Sequence, residues 1–342
     1  MGAWKGRSRE GKIHVALDAM GGDLGVSVNV EGAVAATREY QVSITLVGNE
    51  SEIAKHLEKY DTGSLGINIH HAPEAVDMDE TPSIALRRKK HSSIRIGLDL
   101  VREGKADAFV SAGNTGAVMA TALVVLGPLP GVERPAIALL LPNLTGKSIL
   151  LDAGATVDCK PKHLLQFAIM GNVYARYILG KKVPQVGLLS IGEEESKGNE
   201  LTKEAFKALE EEPSLAFIGN VEGRDVFTGK ADVIVCDGFT GNVALKTSEA
   251  VAEFFSVLLQ QELSRDLKSR IGYLLVKGAL ARLKKRVDPA EVGGAPLLGV
   301  DGVCIISHGH STSKAIKNAI RVAAECVQND VIQHIREGIA SG

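Results

Sequence analysis

The stretch best equipped for chemistry is Asp237-Gly-Phe-Thr-Gly-Asn242. It follows Asp232 to Cys236, a short β-branched run that reads as a buried strand, and leads into an apolar-periodic segment from Val243 that reads as a helix. A helix start presents unpaired N–H groups and a partial positive charge, and glycines let a bound anion approach them. Asp237, Gly238, Thr240, Gly241, Asn242 and Lys246 therefore form a candidate phosphate cradle. An earlier segment repeats the plan: Ala108-Phe-Val reads as a strand, and Ser111-Ala-Gly-Asn-Thr-Gly116 as its loop, offering Ser111, Asn114, Thr115 and Gly116. Two cradles suggest two halves facing one ligand site. The alternative for each is an ordinary βα turn in which glycine supplies tight geometry.

Other candidates lie at the ends of other strand-like runs. Asp18-Ala-Met-Gly-Gly-Asp23 closes the first, placing Asp18 beside Gly21 and Gly22. Its carboxylates could hold a metal or position a ligand hydroxyl; the alternatives are a structural bond for Asp18 and a helix N-cap for Asp23. Arg134 leads an apolar run, stays protonated and suits bidentate phosphate contact, a salt bridge being the competing reading. Asp152-Ala-Gly ends another run, and Asn220 sits at the tip of the one starting at Phe217. Lys197 and Asn199 occupy Gly192-Glu-Glu-Glu-Ser-Lys-Gly-Asn-Glu, either a surface salt-bridge loop or a flexible turn carrying a site lysine. His308 and His310 are too few ligands for a metal. His308 could instead donate a proton or cap the helix after it.

The elements that must carry these residues alternate strand and helix from Ile13 onward, the signature of a doubly wound, mostly parallel sheet. The periodicity predicts a helix near Val26 to Arg38, strands at Ser43–Val47 and Gly66–His70, a helix from Pro161 to Ile178, and a strand from Arg134 through Leu141. Leu259, Leu263, Leu267 and Ile271 share i, i+4 spacing and read as one long helical pattern. Between Asp266 and Asp288 every charged residue is basic, and Gly272-Tyr-Leu-Leu-Val-Lys-Gly278 reads as an apolar tip containing Leu274, Leu275 and Val276. A basic amphipathic helix pair reads as an element for an anionic membrane surface, or as a subunit interface. Arg87, Arg88, Lys89 and Lys90 form a second basic run, either a solvated face or a dock for an acidic partner.

Composition narrows the classes. With 45% hydrophobic and 23% charged residues in 342, the chain has material for a large core. A net charge of −2 and 4% aromatics argue against nucleic-acid binding. The cysteines at 159, 236, 304 and 326 form no C-x-x-C pair, which fits a reducing cytoplasm rather than a disulfide framework. No signal peptide or spanning stretch is evident. Residues 1–11 read as a disordered basic tail before one domain spanning 12–342, with a helical protrusion near 250–290.

Taken in order, D-A-M-G-G-D, S-A-G-N-T-G, R-P-A-I-A, L-D-A-G-A, the G-E-E-E-S-K-G-N-E-L-T loop, F-I-G-N-V-E-G-R-D, D-G-F-T-G-N-V-A-L-K and S-H-G-H-S resemble one family. It is the bacterial acyl-acyl carrier protein:phosphate acyltransferases of phospholipid synthesis, and the likeness runs from about Ile13 to near Val327. The resemblance implies that inorganic phosphate attacks a long-chain acyl carrier protein thioester, giving acyl phosphate and free thiol. It implies a Rossmann-like α/β/α sandwich, mostly parallel, related to phosphotransacetylase and to isocitrate and isopropylmalate dehydrogenases. It also implies a homodimer, peripheral membrane attachment, no metal or nucleotide cofactor, and a downstream glycerol-3-phosphate acyltransferase as consumer of the product. On that reading Lys197, Asn199 and His308 serve catalysis. Asn114, Asn199 or Asn242 donates to the oxyanion, and the basic run at 87–90 docks the carrier. The rivals are a coenzyme A-dependent phosphotransacetylase, a dehydrogenase of the isocitrate class, and a non-catalytic membrane scaffold.

Overall fold

In the computed structural model of the chain, residues 11–63 and 65–341 are described. The tail expected at residues 1–11 lies outside them except for Gly11. The first half runs β1 (Ile13–Asp18), α1 (Val26–Glu39), β2 (Val42–Gly48), α2 (Glu50–Leu57), β3 (Ile67–His71), α3 (Pro82–Arg88), α4 (Ser93–Arg102), β4 (Ala108–Ser111) and α5 (Thr115–Val125). The middle follows with β5 (Ala136–Ile137), β6 (Leu139–Pro142), β7 (Lys147–Leu151), α6 (Pro161–Tyr177), β8 (Gln185–Leu189), α7 (Glu200–Glu210), β9 (Ala216–Val221) and β10 (Val233–Val235). The chain closes with α8 (Gly238–Ser264), α9 (Leu267–Val287), α10 (Pro289–Val292), β11 (Ala295–Leu298), β12 (Val303–Ile306), α11 (Ser313–Gln328) and α12 (Val331–Ser341).

The strands form two sheets, a seven-stranded one ordered β3-β2-β1-β4-β12-β11-β5 and a five-stranded one ordered β6-β7-β10-β8-β9. Both are mostly parallel: β1 lies between β2 and β4 with Val15 facing Ile44 and Ala108, and β10 lies between β7 and β8 with Val235 facing Leu151 and Leu188. Central parallel strands are buried on both faces, which is why β4 and β10 read as unbroken apolar runs rather than alternating ones. Parallel pairing also puts the C-terminal ends of several strands on one edge of each sheet, so the glycine loops that follow them collect there.

One core joins the two sheets. Leu17, Val110 and Ile305 from the first and Leu151, Leu188 and Val235 from the second share a buried cluster with Phe167 and Tyr174 of α6 and Ile316 and Ile320 of α11. Pro161 opens α6, where a missing N–H is harmless.

Two expectations are corrected. The apolar run after Arg134 is not one strand: β5 ends at Ile137 in the first sheet and β6 begins at Leu139 in the second, so the chain changes sheets at Ala138. The periodic leucines do not share one helix either. α8 stops at Ser264, and Asp266 caps α9 by accepting from Ser269 N at 2.8 Å. Leu267 and Ile271 thus belong to α9, and Gly272 to Gly278 lies within that helix instead of forming a tip. At 1.5 Å per residue, α8 is about 40 Å long and reaches well beyond the core. None of α9 is buried, and Leu267, Leu274 and Leu275 are 68–83% exposed. Arg286 ties the returning end of α9 to the core by donating to Asn143 O at 2.7 Å and Leu144 O at 3.0 Å. No helix among the described residues is long and apolar enough to cross a membrane.

Candidate anion-binding active site

The loop after β1 is built around Asp18. Its buried carboxylate accepts from Met20 N and Gly21 N at 3.1 Å and from Ser111 Oγ at 2.7 Å, with the Ser93 hydroxyl as a further donor. Burial pushes this carboxyl up, and the hydrogen bonds pull against that shift. Ser111 Oγ in turn accepts from Gly113 N at 3.0 Å. A Cβ at Gly21 would lie 2.6 Å from Gly113 N, so the loops after β1 and β4 can touch only with glycine there. Gly22 follows with φ +94°.

The loop after β4 uses its polar groups internally. Asn114 caps α5 by accepting from Ala117 N at 3.0 Å, while its Nδ2 donates to Met78 O and Glu80 O at 2.9 Å. That amide is committed to holding the 77–80 loop. Thr115 is exposed at the start of α5, and Gly116 packs beneath Pro82 of α3.

The second sheet contributes the loops after β7, β8, β9 and β10. Asp152 is fully buried and accepts from four backbone N–H groups: Ile137 at 2.8 Å, Gly154 at 3.1 Å, Ala155 at 3.0 Å and Thr156 at 2.6 Å. Burial pushes its carboxyl up as well. The sequence grouped Asp152 with the substrate ligands; its hydrogen bonds instead run to the backbone. Gly238 N donates to Thr156 O at 2.8 Å, and a Cβ at Gly238 would lie 2.6 Å from Asp152 Oδ2. The cradle at the start of α8 is therefore seated on the Asp152 loop. Asp237 caps α8, accepting from Thr240 N at 2.8 Å and Thr240 Oγ1 at 2.7 Å. Gly241 packs over Asp152, and Asn242 is exposed beside Gly154 with its amide uncommitted among the described residues.

Lys197 is exposed on the loop after β8, without an ion pair among the described residues. Asn199 caps α7 through Oδ1, accepting from Thr202 N at 2.9 Å, which leaves its Nδ2 without a partner among the described residues. Beneath this loop Asn220 Nδ2 donates to Glu194 O at 2.9 Å, while Asn220 Oδ1 and Ser190 Oγ are buried without a partner among the described residues. Buried polar atoms are rarely left so, which makes this floor noteworthy. Arg134 is also exposed and unpaired among the described residues. It adjoins Pro135, whose carbonyl accepts from Thr156 Oγ1 at 3.0 Å.

The two sheets meet where Lys246, in the third turn of α8, faces His308 in the loop after β12. Lys246 Nζ donates to Glu249 Oε2 at 2.9 Å and lies 3.4 Å from His308 Nε2. His308 Nδ1 accepts from His310 N at 3.2 Å, so a neutral ring carries its proton on Nε2. Both atoms facing each other are then donors. An anion between them would accept from both.

The basic run divides. Lys89 Nζ is engaged by Glu80 Oε2 at 2.6 Å and Ala75 O at 2.7 Å, and the Glu80 bond raises its pKa. Arg87, Arg88 and Lys90 are exposed and unpaired among the described residues. Asp23, read as a possible N-cap of α1, instead pairs with His310 Nδ1 at 2.9 Å, and Gly25 is the N-cap. Among the described residues no group of three or more His, Cys, Asp or Glu could hold a metal.

Some contributors escaped the sequence reading. Asn29 Nδ2 braces the first loop by donating to Ala19 O at 3.0 Å and Gly21 O at 2.8 Å. Its signal was an amide among the apolar residues of α1. Ser93 and Ser190 carried no local signal, because their roles depend on neighbours distant in sequence.

Two mostly parallel sheets joined by one core, with glycine loops at their strand ends, give the phosphotransacetylase type of fold. A phosphotransacetylase from Streptococcus pyogenes superposes with a TM-score of 0.61 at 19% identity, covering 93% of this chain and 94% of that one. The EutD phosphotransacetylase of Staphylococcus aureus gives 0.58 at 17%, covering 92% and 94%. At such identities the likeness concerns the fold alone. The family itself is set by sequence: residues 13–334 match the family described as fatty acid synthesis protein, and the chain belongs to it. Its relatives include the phosphate acyltransferases of Pelobacter propionicus, 54% identical over 96% of this chain and 94% of theirs, and of Geobacter sulfurreducens, 54% identical over 95% and 94%.

Proposed function

We propose that the chain transfers a fatty acyl group to inorganic phosphate in phospholipid synthesis, with the thioester of acyl carrier protein as donor. A phosphate oxygen attacks the thioester carbonyl carbon, the C–S bond breaks, and the products are acyl phosphate and carrier thiol. Phosphate is itself the nucleophile, so no activated serine or cysteine is required. The observation that carries the reading is the pair of donors, Lys246 Nζ and His308 Nε2, facing each other at 3.4 Å beside the α8 cradle. A dianion bound there is held close to the thioester, and orientation of this kind supplies much of a rate enhancement. Lys197 on its loop adds a second cation. Asn242 is the free amide nearest the cradle and donates to the oxyanion, with Asn199 Nδ2 as the other available donor. His308 Nε2–H stabilises the leaving thiolate by donating a hydrogen bond to its sulfur, and the thiolate, a good leaving group with a free thiol pKa of about 8.5, takes its proton from water.

Further features extend the proposal. The shared core supports residues 12–342 acting as one domain. Arg87, Arg88 and Lys90 dock the acidic carrier, with Lys89 as a strut of that surface. The exposed apolar residues of α8 and α9 support a homodimer contact along the helices and attachment to an anionic membrane through Leu274, Leu275 and Val276. The protein would then work at the cytoplasmic face of the membrane and pass acyl phosphate to a glycerol-3-phosphate acyltransferase.

The deciding experiment is phosphate-dependent thiol release from palmitoyl-acyl carrier protein, with acyl phosphate trapped by hydroxylamine. Release that saturates with phosphate is expected. No release from this donor, with turnover of acyl-coenzyme A instead, would overturn the carrier assignment, and inertness toward both would overturn the transfer itself.

A further inference from the structure

Around the Lys246–His308 pair, exposed apolar side chains stand among the polar groups Glu249, His310 and Asp23. Phe239 and Val243 are 62% and 49% exposed on α8. With Lys246 they sit at i, i+4 and i+7, one stripe of the helix, and the Lys246–His308 approach turns that stripe toward the loop after β12. Across that loop Met78 lies against Gly309, whose Cβ position would be 2.6 Å from the Met78 methyl. Asp23 N donates to Gly309 O at 2.8 Å, which brings its neighbour Leu24 to the same corner. Met78 and Leu24 are 39% and 48% exposed. Exposed apolar groups on both sides of a charged centre fit a ligand with an anionic head and a long apolar tail.

We infer that the acyl chain of the substrate lies over this rim, Phe239 and Val243 on the α8 side and Met78 and Leu24 on the other, with its thioester carbonyl near Lys246 and His308. The inference rests on the transfer reading above and adds which residues set chain-length preference. A short acyl group would reach Lys246 and His308 without covering the rim. A long one gains burial over it, at roughly 0.8 kcal/mol per methylene.

The test uses the full chain with phosphate saturating and compares hexadecanoyl- with butyryl-acyl carrier protein. Val243→Ser and Met78→Ser each change an exposed side chain. Each should lower the ratio of kcat/KM on the long substrate to that on the short one by about ten-fold, the loss of a buried methylene or two. An unchanged ratio in active variants overturns the rim as an acyl surface, as does an equal fall on both substrates. So does an altered molecular mass in solution with the ratio intact, which would make the α8 stripe a subunit contact. Wild-type protein inert toward both thioesters overturns the transfer reading and this inference with it.

Discussion

Asp152→Asn separates a scaffold role from a ligand role for the carboxylate that accepts from four backbone N–H groups. Three of its four backbone donors, from Ile137, Gly154 and Ala155, converge on Oδ1, and an asparagine oxygen can keep them. The fourth, Thr156 N, lies 2.6 Å from Oδ2, where asparagine would place an NH₂ group. One charge-assisted bond, worth about 1.5–3 kcal/mol, is replaced by two donors facing each other in a buried place. The sum is roughly 3–5 kcal/mol. For a chain larger than 250 residues, where each kcal/mol moves Tm by about 2 °C, the midpoint should fall by roughly 6–10 °C. The same Thr156 carries Gly238 through its carbonyl at 2.8 Å, so the cradle should loosen and kcat should fall along with stability. The assays are thermal unfolding followed by circular dichroism, and acyl phosphate formation at a temperature where the variant is folded. A Tm within about 1 °C of wild type, with only the phosphate KM raised, would refute the scaffold argument and return Asp152 to the substrate.

Four further outcomes are expected. Lys197→Ala should cut acyl phosphate formation by roughly 100-fold, the scale for a lost electrostatic donor, with Tm unmoved because the side chain is exposed and unpaired; a near-normal rate removes it from the site. Reversing Arg87, Arg88 and Lys90 to Glu should raise the KM for the carrier and flatten its salt dependence, whereas Lys89→Ala should chiefly lower Tm; a carrier KM unchanged by the triple reversal moves the dock elsewhere. Leu274→Ser with Leu275→Ser should weaken binding to anionic vesicles by about 100-fold, from some 3 kcal/mol of lost apolar burial, as read by co-sedimentation; full retention leaves α9 as a subunit contact. Burial pushes the thiols of Cys159, Cys304 and Cys326 up to about 12 and that of Cys236 well up too. Ellman's reagent at pH 8 should therefore react far more slowly with native than with unfolded protein, and fast labelling of a native thiol would contradict their placement.

Much of the fold was legible because parallel strands buried on both faces write themselves as apolar runs. The helix expected near Val26 to Arg38 spans Val26–Glu39, and the strand expected at Ser43–Val47 spans Val42–Gly48. The failures fall where periodicity is indifferent to direction. Leu259, Leu263, Leu267 and Ile271 keep helical spacing across the turn at Arg265 and Asp266, so the pattern alone could not report the break. The apolar run after Arg134 suits a strand in either sheet, and only the hydrogen bonds of β11 and β7 divide it at Ala138.

The sequence by itself determined the strand-loop-helix units, the glycines that let loops close on one another, and the family, because each is written in neighbouring residues or in an ordered set of motifs. Tertiary structure alone decided which polar groups remain available. Asn114, Asn199 and Asn242 look alike as loop amides, yet the first is spent on the carbonyls of the 77–80 loop and the last is free. Lys246 and His308 are 62 positions apart and face each other only because α8 and the loop after β12 rise from different sheets to one corner. A side chain's chemistry depends on what already holds its donors and acceptors, and here those partners come from remote parts of the chain.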